Sequence, residues 1–181
     1  NVAADPLFTA SYTGVNGGLV IVVADDPGMH SSQNEQDSRH YARAAKLPML
    51  EPADSNDCRN MTREAFALSE KYDTPVMIRL TTRIAHSRSL VEEMPLQEQQ
   101  LKKYEKDMNK YVMMPAMAVG RHKAVEARME RLARDAGSAG MHQVLYRSEK
   151  IGVICSGISW QYVREALPQA SVLKLGMVWP L

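Results

Sequence analysis

The sequence predicts an α/β fold, a parallel sheet flanked by helices, followed by the start of a second α/β unit. Three observations predict it. Short, apolar-rich runs at residues 19–23, 76–81, 151–155 and 171–175 have the length of strands, and the first, which is continuous, reads as a strand covered on both faces. Segments with apolar residues at helical spacing lie between them, and strand, helix and strand in that order imply right-handed crossovers and parallel pairing. The first two strands each run into a polar loop, and in open α/β sheets ligands bind in the crevice beyond the carboxyl ends of the strands.

Taken in order, Val2, Ala3, Leu7, Ala10 and Ser11 recur near helical spacing and predict a helix that delivers the chain to the first strand. Asp25, Asp26, Pro27 and Gly28 stop that strand, because proline and glycine forbid continued pairing and set a turn. Residues 37–47 read as a helix with Tyr41, Ala44 and Ala45 on its packed side, ended by Pro48. Residues 49–51 are at most a very short strand. Asp54 and Ser55 offer an N-cap for a helix reaching Tyr72, whose buried stripe is Met61, Ala65, Leu68 and Tyr72. After the strand at 76–81 comes a polar loop at 82–88.

The character then changes. Residues 97–110 are charged and glutamine-rich, and Met113, Met114 and Met117 form a patch suited to filling irregular packing gaps. A helix is expected over 121–135, with Val125, Met129, Leu132 and Ala136 inward and mixed charges outward. Residues 137–140 break it. The expected organisation is therefore residues 1–91, a charged helical linker at 92–149, and a second unit at 150–181 built from a strand, a helix at 159–167 and a second strand.

Composition excludes several functions. A net charge of +1 gives no reason to expect nucleic acid or an anionic membrane as a partner. No apolar run reaches the roughly 20 residues a membrane helix needs, so a soluble, cytoplasmic protein is expected. Cys58 and Cys155 lack metal-ligand spacing and read as buried free thiols. Two cysteines cannot hold an iron–sulfur cluster that takes four thiolates. Asn1 is not an initiator methionine and the last residues follow directly on an apolar run, so the sequence is expected to be a piece of a longer polypeptide.

Candidate chemistry concentrates after the first strand. His30, Ser31, Ser32, Gln33 and Asn34 form an unbroken row of donors and acceptors that could orient a polar ligand. The same residues could instead satisfy a turn and cap the next helix, and pattern alone leaves both open. Glu35 and Asp37 could serve in acid–base work or complement a helix dipole. The planar guanidinium of Arg39 suits a carboxylate ligand, or an internal pair with Asp25, Asp26 or Asp37. His30 and His86 lack the further ligands a metal site needs. The turn at Ser156 and Gly157 lacks the full spacing of a dinucleotide fingerprint and of a nucleophile elbow.

The strings ADDPGMHSSQNEQDSRHYARAAKLPMLEPADS, DTPVMIRLTTRIAHS, KIGVICSGISWQYVREALP and VLKLGMVWPL resemble, in register, successive segments of the large (alpha) subunits of the indolepyruvate:ferredoxin oxidoreductase family. Such enzymes are similar to pyruvate:ferredoxin oxidoreductases. The resemblance implies thiamine diphosphate, magnesium and [4Fe-4S] clusters as cofactors. It implies oxidative decarboxylation of arylpyruvates, with coenzyme A as acyl acceptor, ferredoxin as electron acceptor and a beta subunit as partner. It makes residues 1–91 the second half of the domain that holds the cofactor's aminopyrimidine, and residues 150–181 the opening of a domain like the C-terminal one of transketolase. The glutamate that activates the cofactor would lie before Asn1, and the magnesium and cluster motifs beyond Leu181. Within the chain it implies Arg39, His30, Ser31 and Ser32 at the substrate, and Gln33, Asn34 and Glu35 at the cofactor. The piece alone is expected to be inactive and to bind no cofactor tightly.

Overall fold

The computed structural model describes residues 2–96, 101–137 and 140–181. The chain opens with α1 (Ala4–Thr13), β1 (Val20–Asp25), α2 (Ser38–Ala45), β2 (Met49–Leu50), α3 (Ser55–Tyr72), β3 (Val76–Thr81) and α4 (Thr82–His86). It continues through α5 (Met108–Tyr111), α6 (Pro115–Ala136), β4 (Gln143–Leu145), β5 (Gly152–Ser156), α7 (Ser159–Ala166), β6 (Ser171–Leu175) and β7 (Met177–Trp179). The first sheet has the order β1-β3-β2-β7. The expected parallel pairing is present, with Val20 opposite Val76 through to Asp25 opposite Thr81, and Leu50 opposite Ile78. The second sheet has the order β4-β6-β5, with β5 parallel and β4 antiparallel to β6.

Helices cover both faces of the first sheet, as the α/β reading requires. On one face Leu50, Val76 and Ile78 pack against Met61, Ala65, Leu68 and Tyr72 of α3 and Leu132 and Ala136 of α6. The expected stripe of α3 is thus buried as drawn. On the other face the alternate strand residues Met49 and Met77 meet Ala42 and Ala45 of α2, with Leu7 of α1 packed beside them. Capping sets the helix limits. Asp37 accepts from the Arg39 amide at the start of α2, and Asp54 accepts from the Asp57 amide at the start of α3. Lys46 and Asp73 end those helices in the left-handed region.

Several expectations change. Strand β1 is an edge strand, and Val22 is 58% exposed, because α3 and α6 reach Val20 but leave the face beyond it uncovered. The packed side of α2 is Ala42 and Ala45, while Tyr41 and Ala44 face outward. Residues 82–86 are a short helix rather than loop, since Ile84 is buried. Helix α6 starts at Pro115, where a proline in the first turn loses no needed N–H. Arg128, expected on its solvated face, is buried, with Nη1 donating to the Asp73 carbonyl and Nη2 to the carbonyl and hydroxyl of Ser11. Met113 and Met117 are half-buried and Met114 is exposed, so the methionine patch fills no core gap. Both cysteines are free but only half-buried. The start of the glutamine-rich stretch at 97–100, and 138–139 of the expected helix break, lie outside the described residues.

Two three-residue strands escape the sequence reading. β4 joins the second sheet ahead of residue 150. β7 crosses back to the first sheet and pairs antiparallel with β2, placing Met177 in its core.

Candidate functional site

Because β1, β3 and β2 are parallel, they end on one edge, and there the chain presents Asp25 and Asp26, Thr82, and Glu51. Strand β5 of the second sheet ends at the same place, with the Ser156 hydroxyl donating to Glu51 Oε2 at 2.6 Å. Gly157 follows with φ +53°, and a Cβ there would lie 3.0 Å from Glu51 Cγ. Both the backbone conformation and the approach of Glu51 therefore require glycine.

The centre of this edge is Arg79, a single charged residue in the buried strand β3. Its side chain is 5% exposed. Nε donates to Asp25 Oδ2 at 2.5 Å, Nη1 donates to Glu51 Oε1, and Asp37 Oδ1 lies 3.9 Å from Nε. Asp25 is completed by Ser38, whose hydroxyl and amide reach it at 2.5 and 2.9 Å. A guanidinium between two buried carboxylates is tolerable only when the remaining lone pairs find donors, and Ser38 and Ser156 supply them.

Asp26 builds the loop. Its carboxylate accepts the amides of Ser31 and Ser32 at 2.7 and 3.0 Å and the hydroxyl of Thr82 at 2.5 Å. These donors, the Thr82 hydroxyl foremost, hold its pKa far below the usual 3.8. The backbone between is tightly wound, with Gly28 and Met29 both at positive φ. The result is an open cleft of about 380 Å³ lined by Ala24, Asp25, Asp26, Ser31, Ser32, Gln33, Asn34 and Gln36. Of the residues the sequence put forward, Ser31, Ser32, Gln33 and Asn34 come together in this cleft. His30 and Glu35 are exposed and do not line it.

Arg39 sits on the first turn of α2 and is engaged by Asp37. Nε donates to Oδ1 at 2.8 Å and Nη2 to Oδ2 at 2.7 Å. This bond is the main cause of the Asp37 pKa falling to about 2. The Arg39 side chain is 51% exposed, and among the described residues nothing takes Nη1. One edge of the guanidinium is thus fixed while its end remains available to a second carboxylate.

The sequence places the loop that opens at Thr82 on the same sheet edge as the loop around residue 35, and Thr82 does bind Asp26 there; it does not reveal Arg79, Glu51 and Ser156 as site-forming residues. The lone arginine within VMIRLT was the available signal, since an unpaired charge is almost never found in a buried strand. The partners of Arg79 come from β1 and from just after β2, and no local pattern connects them.

The lowered pKa values of Asp26 and Asp37 carry a pH prediction. Each carboxylate is stabilised in the folded state, so its contribution is present above the unfolded pKa near 3.8 and is lost as pH falls through the folded value. In hydrogen-exchange measurements, amide protection at Arg39 is expected to decay between about pH 4 and pH 2, and that at Ser31 and Ser32 from about pH 4 to a lower pH still, both ahead of α3 and β3. Simultaneous loss across all of them would overturn the assignment.

Among the described residues no three His, Cys, Asp or Glu side chains gather into a group that could hold a metal ion. No helix among them is long and apolar enough to cross a membrane.

Residues 19–152 match the family model described as "Pyruvate flavodoxin/ferredoxin oxidoreductase, thiamine diP-bdg". The chain is 41% identical, over 99% of its length, to "Indolepyruvate oxidoreductase subunit IorA" of Methanothermobacter thermautotrophicus. It is 40% and 39% identical, over its full length, to the proteins of that name from Archaeoglobus fulgidus and Pyrococcus abyssi. The chain spans about 30% of the length of each of these relatives. Among solved structures it resembles 2-oxoglutarate:ferredoxin oxidoreductase from Magnetococcus marinus, determined with 2-oxoglutarate, coenzyme A and succinyl-CoA bound. That likeness has a TM-score of 0.66 at 16% identity, covering 99% of this chain and 40% of the other. It confirms the α/β fold read from the sequence. With a polar cleft at the carboxyl edge of its parallel sheet and the family's sequence pattern across most of its length, the chain belongs to the thiamine diphosphate-binding family of pyruvate flavodoxin/ferredoxin oxidoreductases.

Proposed function

We propose that this chain is part of the large subunit of an indolepyruvate:ferredoxin oxidoreductase, which oxidatively decarboxylates indolepyruvate and other arylpyruvates to arylacetyl-CoA and reduces ferredoxin. The observation that carries this reading is the end-to-end identity of 41% to a subunit named for indolepyruvate, with no long stretch of the chain left outside the match. In this reading residues 1–91 form half of the domain around the cofactor's aminopyrimidine. Residues 92–149 are the connection, and residues 150–181 open the following domain, with β7 fastened back onto the first sheet.

The donor set suits one end of the cofactor. Hydroxyls and amides of Ser31, Ser32, Gln33, Asn34 and Gln36 line the cleft together with the carboxylates of Asp25 and Asp26. Such a surface favours a neutral heteroaromatic edge and repels a diphosphate. Ser31, Ser32, Gln33 and Asn34 would therefore face the reacting end, with His30 and Glu35 on the outer side of the same loop. We assign magnesium, the diphosphate and the [4Fe-4S] clusters to other parts of the subunit. Bound thiamine diphosphate supplies the carbon nucleophile and the electron sink for decarboxylation. Arg39 then binds the substrate carboxylate through its free end, and Asp37 holds the guanidinium at the angle that makes a two-pronged contact possible. The protein is proposed to be soluble and cytoplasmic and to work with a beta subunit.

The test is ferredoxin reduction by the assembled enzyme with coenzyme A and a panel of 2-oxoacids. Indolepyruvate and phenylpyruvate are expected to exceed pyruvate and 2-oxoglutarate in kcat/KM by about 100-fold or more, the scale set by burying an aryl group in a fitted pocket. Preference for either small oxoacid would transfer the chain to another branch of the family. Absence of oxoacid-dependent reduction in an assembled, cofactor-loaded preparation would leave a non-catalytic docking module.

A further inference from the structure

The second sheet meets the Glu51 carboxylate through a hydroxyl, beside the backbone contact of the Glu51 amide with the Gly176 carbonyl. Ser156, the last residue of β5, donates to Glu51 Oε2, and the other oxygen of that carboxylate receives Arg79 Nη1. Arg79 in turn holds Asp25, which fixes both the hydroxyl and the amide of Ser38, the first residue of α2. The next residue in the chain is Arg39. Arg79 Nε also lies 3.9 Å from Asp37 Oδ1, the same oxygen that receives Arg39 Nε at 2.8 Å. An unbroken line of polar contacts therefore runs from the second sheet, through the buried middle of the first, to the guanidinium at the start of α2.

The physical consequence follows from how Glu51 is shared. Its side chain is 5% exposed, so neither oxygen has ready access to water. If the Ser156 hydroxyl withdraws, Oε2 is left without a donor, which is costly in a buried site. The nearest remedy is rotation of the carboxylate onto the Arg79 guanidinium, which accepts two-pronged contact readily. That rotation draws Arg79 away from Asp25 and Asp37. Ser38 and Asp37 then lose their common anchor, and the orientation of Arg39 is no longer determined.

We propose that Ser156 is a positioning residue for Arg39, acting through Glu51 and Arg79, so that seating of the second sheet against the first sets the geometry of the carboxylate-binding group. This rests on the reading of Arg39 as the group that binds the substrate carboxylate. A hydroxyl at the end of β5 thereby couples closure of the two units to substrate affinity.

The experiment is steady-state kinetics of the full-length, assembled enzyme carrying Ser156→Ala, Ser156→Thr, Arg39→Lys, and the pair Ser156→Ala with Arg39→Lys. Ser156→Ala is expected to raise KM for the 2-oxoacid about three- to tenfold with kcat within about twofold, the net scale of one ordinary hydrogen bond, as expected for an effect relayed through Glu51 and Arg79. KM for coenzyme A should not move. Ser156→Thr, which keeps the hydroxyl, restores the wild-type KM. In the Arg39→Lys background the guanidinium that the line of contacts orients is gone, and Ser156→Ala adds nothing further. An unchanged oxoacid KM in Ser156→Ala, or the same fold-increase in both backgrounds, would overturn the coupling while leaving the role of Arg39 intact. If Arg39→Lys itself leaves oxoacid KM and kcat unaltered, the reading of Arg39 fails and the coupling fails with it.

Discussion

Arg39→Ala in the full-length subunit is expected to lower kcat/KM for the proposed arylpyruvate substrate by about 100- to 1000-fold, the usual loss when one charged donor to a reacting substrate is removed. The fold should hardly notice. The side chain is half exposed, and its bond to Asp37 is a surface pair whose contribution to stability is small. Asp37 also remains able to cap α2, because it accepts from the backbone amide of residue 39 whatever the side chain is. The measurement is turnover against 2-oxoacid concentration beside a thermal unfolding midpoint. A wild-type kcat/KM removes Arg39 from the site. A collapsed midpoint shows that it serves the fold instead.

Arg79→Met has the opposite signature. The substitution leaves Asp25 and Glu51 buried in a strand-lined interior without the guanidinium that both require, and breaking such a group from one side costs about 3–5 kcal/mol. The variant is expected to unfold at a much lower temperature and to yield little soluble protein. Adding Asp25→Asn and Glu51→Gln removes the stranded charges and recovers a substantial part of the midpoint, because the three residues act as one unit. Equal midpoints for wild type and Arg79→Met would show that Arg79 is not what holds the two acids.

The contrast between the two arginines explains what the sequence made legible. Strong local pattern carried the fold: the α3 stripe of Met61, Ala65, Leu68 and Tyr72 is buried as expected, and so are residues 76–79 of the run at 76–81. The loop of residues 30–34 was visible as a polar row after an apolar strand, and four of its residues do meet in the cleft. Glu51 and Arg79 were not visible as a pair, since contacts between two parallel strands join positions that only the crossover brings together. The same reason hides β4 and β7: three residues carry too little periodicity to declare a strand, and their pairing partners are distant. The one-residue rotation of α2 has a different cause. Ala42 and Ala44 are alike in propensity, and what buries Ala42 is the face on which Met49 and Met77 wait.

The late return of β7 to the first sheet has a consequence for biosynthesis. Strand β2 contributes only two residues, and its outer side is closed by a segment that emerges from the ribosome after the whole second sheet has been made. Until then Met49 and Leu50 lie at an open edge, and such edges invite pairing with other nascent chains. Completion of the first layer therefore waits on a contact that is distant in sequence, the kind that forms late in folding. The order of translation thus leaves the first sheet unfinished until β7 has arrived to complete it.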